Sequence, residues 1–101
     1  MRTIASVQLD ERRPTPVLTR RSKLHLLTRV TVALITSTIR GITSEVRVGP
    51  RNGLDHDSVV SCDNITTVRR DAVHATLGLL FDDQEADLAR ATGDASELAP
   101  T

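Results

Sequence analysis

The side chains best suited to chemistry gather where an apolar run stops. Residues 30–35 read Val-Thr-Val-Ala-Leu-Ile, the composition of a strand in a small sheet. Directly after that run come three hydroxyls, a guanidinium and a glycine: Thr36, Ser37, Thr38, Arg40 and Gly41. A second alternating run follows at 44–48, so these groups lie on a loop between two strands. Such a loop often carries binding or catalytic groups, and an ordinary solvated turn has the same composition. On composition alone both interpretations stay open.

The net charge of the chain is zero, but basic and acidic residues are concentrated in different halves. Residues 1–51 carry ten Lys and Arg against three Asp and Glu, a net of +7, whereas residues 52–101 carry three against ten, a net of −7. Arginine outnumbers lysine twelve to one, and the guanidinium fork suits bidentate recognition of phosphate or carboxylate. The pattern favours an anionic partner for the first half. Mutual neutralisation of the two halves within one molecule is the alternative.

Length and composition limit the class of protein. The 101 residues predict one domain, 1–101, whose core must come from Val, Leu, Ile and Ala because Phe81 is the single aromatic. So short a chain has a marginal core that a dimer would help. No transmembrane run or secretory signal is visible, and one cysteine, Cys62, excludes an internal disulfide. These features predict a cytoplasmic protein with no membrane association.

Metal and cofactor sites are not predicted. Cys62 has no neighbouring cysteine, and His25, His56 and His74 fall in no ligand spacing. No glycine-rich phosphate loop is present either. The near absence of aromatics removes the usual stacking platform for single-stranded nucleic acid, which counts against that ligand.

The alternation of apolar residues predicts a mainly β protein with a C-terminal helix. Strands are predicted at 4–9, 14–19, 30–35, 44–48, 58–62, 65–68 and 76–81. Pro16 would place the second strand at a sheet edge or in a bulge. Short helical turns are predicted within 20–29 and 69–73, and a dense turn at 49–53. Asp82 is the predicted N-cap of the last helix, with Glu85 as its capping-box partner. Frequent turns between short strands favour a small, curved antiparallel barrel.

Several short phrases, taken in order, resemble the MazF/PemK family of toxin endoribonucleases. They span most of the chain: Arg13-Pro14, Leu34-Ile35-Thr36-Ser37, Arg40-Gly41, Ser44-Glu45-Val46, Gly53-Leu54-Asp55 and the stretch 58–65 with Thr67. The resemblance implies an SH3-like antiparallel barrel with a C-terminal α-helix, and a homodimer. It also implies metal-independent, sequence-selective cleavage of single-stranded RNA (mRNA, rRNA or tRNA) that arrests growth. A cognate MazE-like antitoxin with a disordered, acidic tail would inhibit the enzyme.

The same resemblance implies the site residues. The catalytic arginine of the family falls on Arg13 and its catalytic threonine on Thr36. The family's polar residue that holds RNA falls on Asn64. Arg12, Ser37, Thr38 and Arg40 would then be the surrounding phosphate and base contacts. In the expected reaction the 2′-OH of the RNA attacks the adjacent phosphorus and leaves a 2′,3′-cyclic phosphate and a 5′-OH. Arg13 would stabilise the charge on the phosphorane oxygens, since a guanidinium hardly ever releases its proton.

This chain departs from the family pattern at several positions. Pro16, Leu34, Thr92 and Ser96 replace residues that are usual there, and the first strand lacks its usual tryptophan. These departures motivate one alternative, a catalytically inactive barrel that still dimerises and binds an antitoxin. A second alternative is a gyrase-poisoning toxin of the same superfamily, which would act on a protein partner and would not need Arg13 or Thr36.

Overall fold

A computed structural model describes residues 2–19, 23 and 26–97, with side chains as far as residue 93. Six strands are followed by one helix: β1 (Arg2–Gln8), β2 (Arg12–Pro16), β3 (Arg29–Thr36), β4 (Glu45–Val48), β5 (Ser58–Arg69), β6 (Val73–Leu80) and α1 (Asp82–Glu97). Short 3₁₀ turns lie at Pro50–Asn52 and Arg70–Ala72. Half of the predicted loop at 20–29, including His25, falls outside the described residues, as does Leu98.

The strands form two antiparallel sheets of three strands each, in the orders β2-β1-β6 and β3-β5-β4. The sheets meet at one corner, where Val17 bridges to Val32 and the Leu18 amide donates to the Thr31 carbonyl at 2.8 Å. The mainly β fold with a C-terminal helix is therefore confirmed. Within the described part of the chain, however, the ladders do not run continuously round a closed barrel.

The two strands predicted at 58–62 and 65–68 are a single long strand, β5. The polar pair Asp63-Asn64 looks like a turn in the sequence, yet the backbone stays extended through it. Pairing with β3 steps from Ala33 opposite Ile65 to Leu34 opposite Ser61, so residues 62–64 have no partner in β3. Such a bulge bends a strand and redirects its side chains.

The start of α1 differs from the prediction by one residue. The helix begins at Asp82, and the Phe81 carbonyl accepts the amides of Gln84 and Glu85, both at 2.9 Å. The Gln84 side chain in turn accepts the Phe81 amide at 3.0 Å. Gln84 therefore takes the part of the capping box that was predicted for Glu85, whereas Phe81, which has no side-chain acceptor, contributes only its backbone carbonyl. Glu85 instead pairs with Arg2, Oε1 to Nε at 3.0 Å.

Aliphatic side chains from both sheets and α1 fill the interior, as the composition predicted. One buried cluster contains Ile4, Ala33, Val46, Val48, Val60, Cys62, Leu80, Leu88 and Ala91, and a second contains Ala5, Val7, Val17, Val30 and Val32. Pro16 is buried in β2, which is an edge strand as predicted. Thr92 replaces a residue that is usual in the family, and its hydroxyl donates to the Cys62 sulfur at 3.8 Å, so this polar group has a hydrogen-bond partner. Burial raises the pKa of the Cys62 thiol.

A buried amide ties the turn at 49–53 to the rest of the fold. Asn52 is 1% exposed, and its Oδ1 accepts the Gly49 amide at 3.0 Å and Gln84 Nε2 at 3.1 Å. Its Nδ2 donates to the Leu79 carbonyl at 2.8 Å and to Gln84 Oε1 at 2.6 Å. β6 passes so close that a Cβ on Gly78 would lie 1.6 Å from the Asn52 carbonyl oxygen. One side chain therefore joins the turn, β6 and α1.

None of the helices among the described residues is both long enough and apolar enough to cross a membrane.

Candidate active site

A cleft of about 630 Å³ opens between the β1–β2 connection, the end of β3, the loop before β4 and the bulge of β5. Its walls are formed by Leu9, Asp10, Arg13, Leu34, Ile35, Thr36, Thr38, Arg40, Ile42, Glu45, Ser61, Asp63, Asn64 and Thr66. Five of the seven predicted site residues are in this set, namely Arg13, Thr36, Thr38, Arg40 and Asn64. Arg12 and Ser37 are exposed and are not part of the lining. Their contact with RNA stays a prediction.

Arg13 is held by the short connection that precedes it. β2 runs antiparallel to β1 with Arg13 opposite Val7, so residues 9–11 fold back beside the guanidinium. Asp10 accepts from it twice, Oδ1 from Nε at 3.1 Å and Oδ2 from Nη2 at 3.2 Å. Glu11 Oε1 lies 3.1 Å from the same Nη2. The Arg13 side chain is nevertheless 42% exposed, and Nη1 makes no hydrogen bond to the described residues.

The two charges shift each other's pKa. The hydrogen bonds from Arg13 lower the pKa of Asp10 below its ordinary value, and Asp10 raises the pKa of Arg13. Asp10 therefore stays ionised and Arg13 stays protonated at neutral pH. A fixed, fully charged guanidinium with one unengaged nitrogen is suited to donating to an anionic oxygen.

Thr36 supplies the hydroxyl at the opposite wall. It is the last residue of β3, and its Oγ1 accepts the Thr38 amide at 3.1 Å. Because that oxygen is already an acceptor toward the backbone, its proton remains available for a ligand. The β-branched side chain restricts χ1, so the hydroxyl has a defined direction.

Glu45 was not among the predicted site residues, yet it holds the loop that carries Arg40. Its Oε1 accepts the amides of Arg40 at 3.1 Å and Gly41 at 2.9 Å. Gly41 has φ +74°, in the left-handed region that favours glycine, which lets the chain turn back toward β4. The Glu-Val pattern of β4 was recognised in the sequence, but nothing local indicated that this carboxylate reaches back to residues 40 and 41.

The β5 bulge supplies the remaining polar wall. Asp63 accepts the Ser44 hydroxyl at 2.6 Å, and Asn64 Nδ2 donates to the Ser61 hydroxyl at 2.9 Å. Three carboxylates, those of Asp10, Glu45 and Asp63, thus line the cleft beside two guanidiniums. Each carboxylate is engaged by a protein donor, so each positions a neighbouring group.

We expect Glu45→Ala to raise KM for the ligand of this cleft roughly tenfold with a much smaller change in kcat. The variant loses both charge-assisted hydrogen bonds, each worth about 1.5–3 kcal/mol, and part of that loss weakens ligand binding because the loop that carries Arg40 is released. Steady-state kinetics measures KM and kcat separately. Glu45→Gln, which keeps one acceptor oxygen, is the matched control. A fall in kcat alone would contradict this role.

A two-sheet β fold with a charged guanidinium and a hydroxyl in one cleft defines a small protein suited to binding a phosphate diester. The family described as PemK-like, MazF-like toxin of type II toxin–antitoxin system matches residues 4–93. The chain is also 47% identical over 98 residues to the endoribonuclease MazF3 of Mycobacterium tuberculosis, covering 97% of this chain and 95% of that relative. This chain belongs to the PemK/MazF toxin family, as the sequence resemblance predicted.

Solved structures agree with that assignment. The Mycobacterium tuberculosis toxin MazF-mt6 superposes with a TM-score of 0.92 at 45% identity, over 98% of this chain and 100% of that one. An endoribonuclease in complex with its cognate antitoxin, from a mycobacterial species, gives a TM-score of 0.80 at 21% identity, over 99% of this chain and 95% of that one. The second likeness is evidence for the fold alone.

Proposed function

We propose that this chain is the toxin endoribonuclease of a type II toxin–antitoxin system and that it cuts single-stranded RNA without a metal ion. The observation that carries the proposal is the placement of Arg13 and Thr36 in one cleft. Membership in the PemK/MazF family and the 47% identity to a relative named an endoribonuclease support it.

The chemistry needs little beyond positioning and charge stabilisation. The 2′-OH gives its proton to solvent water as its oxygen bonds to the adjacent phosphorus, the bond from phosphorus to the 5′ oxygen breaks, and that oxygen takes up a proton from water to leave as the 5′-OH. Because the nucleophile is part of the substrate, no metal-bound water is required. Arg13 donates to the non-bridging oxygens as their charge grows. A lowered pKa makes Asp10 a weak base, so we assign it to holding Arg13.

We expect Thr36→Ala to slow cleavage by on the order of 10²-fold, because it removes the hydroxyl of a residue that lines the cleft. Thr36→Ser keeps the hydroxyl and should retain most of the activity. Single-turnover kinetics on one RNA measures both. Equal rates for the alanine and serine variants would contradict a role for the hydroxyl.

We further propose that residues 1–101 form one toxin domain that works as a cytoplasmic homodimer, inhibited by a MazE-like antitoxin. Support for a dimer comes from the small core and from apolar side chains left on the surface: Ile42, Ile65 and Leu77 are each 40–45% exposed. Burial of such groups between two copies would stabilise both.

Folding and self-association should therefore be linked. We expect the melting temperature to rise with protein concentration, as it does when association stabilises the folded state. Calorimetry over a wide concentration range, with sedimentation on the same samples, measures this. A concentration-independent melt of a species that sediments as a monomer would contradict the dimer.

The proposed activity is tested by incubating purified protein with a long single-stranded RNA in EDTA and mapping the cut ends. Discrete cuts that persist in EDTA are expected. If the RNA stays intact while DNA gyrase is poisoned, the protein belongs to the gyrase-directed class. If antitoxin binds but nothing is cut, it is an inactive barrel.

A further inference from the structure

A second groove, lined mostly by arginines, lies at the other end of the strands that carry the cleft. Its volume is about 460 Å³, and it is lined by Thr28, Arg29, Arg69, Arg70 and Asp71. The Arg70 amide donates to the Thr28 carbonyl at 2.9 Å, so the turn after β5 closes against the start of β3. None of these residues belongs to the cleft described above.

The pairing of the strands places two like charges opposite each other. Arg29 and Arg69 are direct partners in the β3–β5 ladder, where facing side chains have Cβ atoms about 4.5–5.5 Å apart. Arg70 follows directly, and Asp71, the one acidic side chain that the described residues contribute to the lining, lies 3.2 Å from Arg69 Nη2. Like charges placed directly opposite destabilise a sheet. An anion bound between Arg29 and Arg69 would relieve this repulsion, and the energy gained would strengthen binding of the anion.

The lining also indicates the kind of anion. Among the described residues it contains three guanidiniums and no apolar side chain, whereas a peptide partner normally anchors through apolar or aromatic residues in fitted pockets. Guanidinium forks match phosphate oxygens in pairs. The chemistry therefore favours the sugar–phosphate backbone of a nucleic acid over an acidic segment of a protein.

The position of the groove relates it to the cleft. Arg29 and Thr36 are the two ends of β3, seven residues apart, which is about 23 Å at roughly 3.3 Å per residue. One extended strand of RNA can span that distance. We propose that Arg29, Arg69 and Arg70 bind backbone phosphate of the same RNA, away from the scissile bond. This rests on the proposed function for its substrate.

The test compares Arg29→Gln/Arg69→Gln with the parent protein on two substrates. One is a long single-stranded RNA, and the other is a short oligonucleotide that holds the cleavage site but ends before the groove. We expect kcat/KM to fall about tenfold on the long RNA and to stay unchanged on the short one. The slope of log affinity against log salt should drop by about 0.7 for each phosphate of the single strand that the variant no longer neutralises. Arg47→Gln, an exposed arginine on β4, is the matched control and should behave as the parent.

Several outcomes would overturn the proposal. These are an unchanged kcat/KM and salt slope on the long RNA, an equal loss on both substrates, and a change of oligomeric state in the double variant. Loss of binding to a poly-glutamate peptide with RNA binding intact would assign the groove to an acidic protein partner. Fluorescence anisotropy with the long RNA measures binding without requiring cleavage, so it tests the groove independently of the proposed activity. A parent protein that binds RNA through these arginines but cuts nothing would refute the activity alone.

Discussion

Arg13→Ala is expected to lower the rate of RNA cleavage by on the order of 10²–10³-fold, the usual cost of removing one transition-state donor. Asp10 holds this guanidinium through two hydrogen bonds of 3.1 and 3.2 Å, and no acceptor in the described part of the chain engages Nη1. The Arg13 guanidinium is therefore already oriented before RNA binds. Single-turnover cleavage of one RNA by parent and variant measures the loss.

Arg13→Lys separates charge from geometry. A lysine restores the positive charge but not the planar fork, so we expect only a small fraction of the activity to return. Both variants should fold and bind antitoxin, because the side chain is 42% exposed and fills no part of the core. His56→Ala and His74→Ala change exposed residues outside the cleft and should cut normally. Parental rates for Arg13→Ala, or a folded but inactive histidine variant, would refute this assignment of the site.

Asn52→Ala is expected to have the largest effect on stability, a loss of about 3 kcal/mol or more. The substitution leaves the Gly49 amide and the Leu79 carbonyl without the partners they have in the native fold. Each buried polar group left unsatisfied costs about 1–3 kcal/mol. In a domain of this size 1 kcal/mol shifts Tm by about 4–8 °C, so the melting temperature should fall by more than about 12 °C.

Thermal or urea unfolding measures that loss. Asn64→Ala is the matched control, since the same substitution at an exposed asparagine of the β5 bulge should change stability by less than about 0.5 kcal/mol. Similar losses for the two variants would show that the buried network around Asn52 is not what joins the turn to β6 and α1.

The sequence predicted elements whose signal is local. Alternation located β1, β3, β4 and β6, and Pro16 correctly indicated an edge strand, because a proline has no N–H to donate to a ladder. The hydroxyl-rich end of β3 was recognised as a place for chemistry, and the structure brings most of the predicted site residues to one cleft there.

Features that depend on contacts between distant segments could not be predicted in this way. The Asp63-Asn64 pair has the composition of a turn, and only the pairing of β5 with its neighbours shows that it is a bulge. Asn52 lies in a stretch rich in turn residues, and its burial depends on contacts with Leu79 and Gln84, 27 and 32 residues away. The excess of basic residues in the first half also did not predict a basic cleft, since three carboxylates from Asp10, Glu45 and Asp63 lie there too.

The most direct test of whether the 2′-OH of the RNA is the attacking group uses one RNA in two forms. The second form carries a single 2′-deoxy nucleotide immediately 5′ of the mapped cleavage site, and both are incubated with the protein in EDTA. We predict that the all-ribose RNA is cut to a 2′,3′-cyclic phosphate and a 5′-OH. The substituted RNA should bind with similar affinity and remain intact at that position. Cleavage of the substituted RNA at the same bond would contradict attack by the 2′-OH and with it the roles assigned to Arg13 and Thr36.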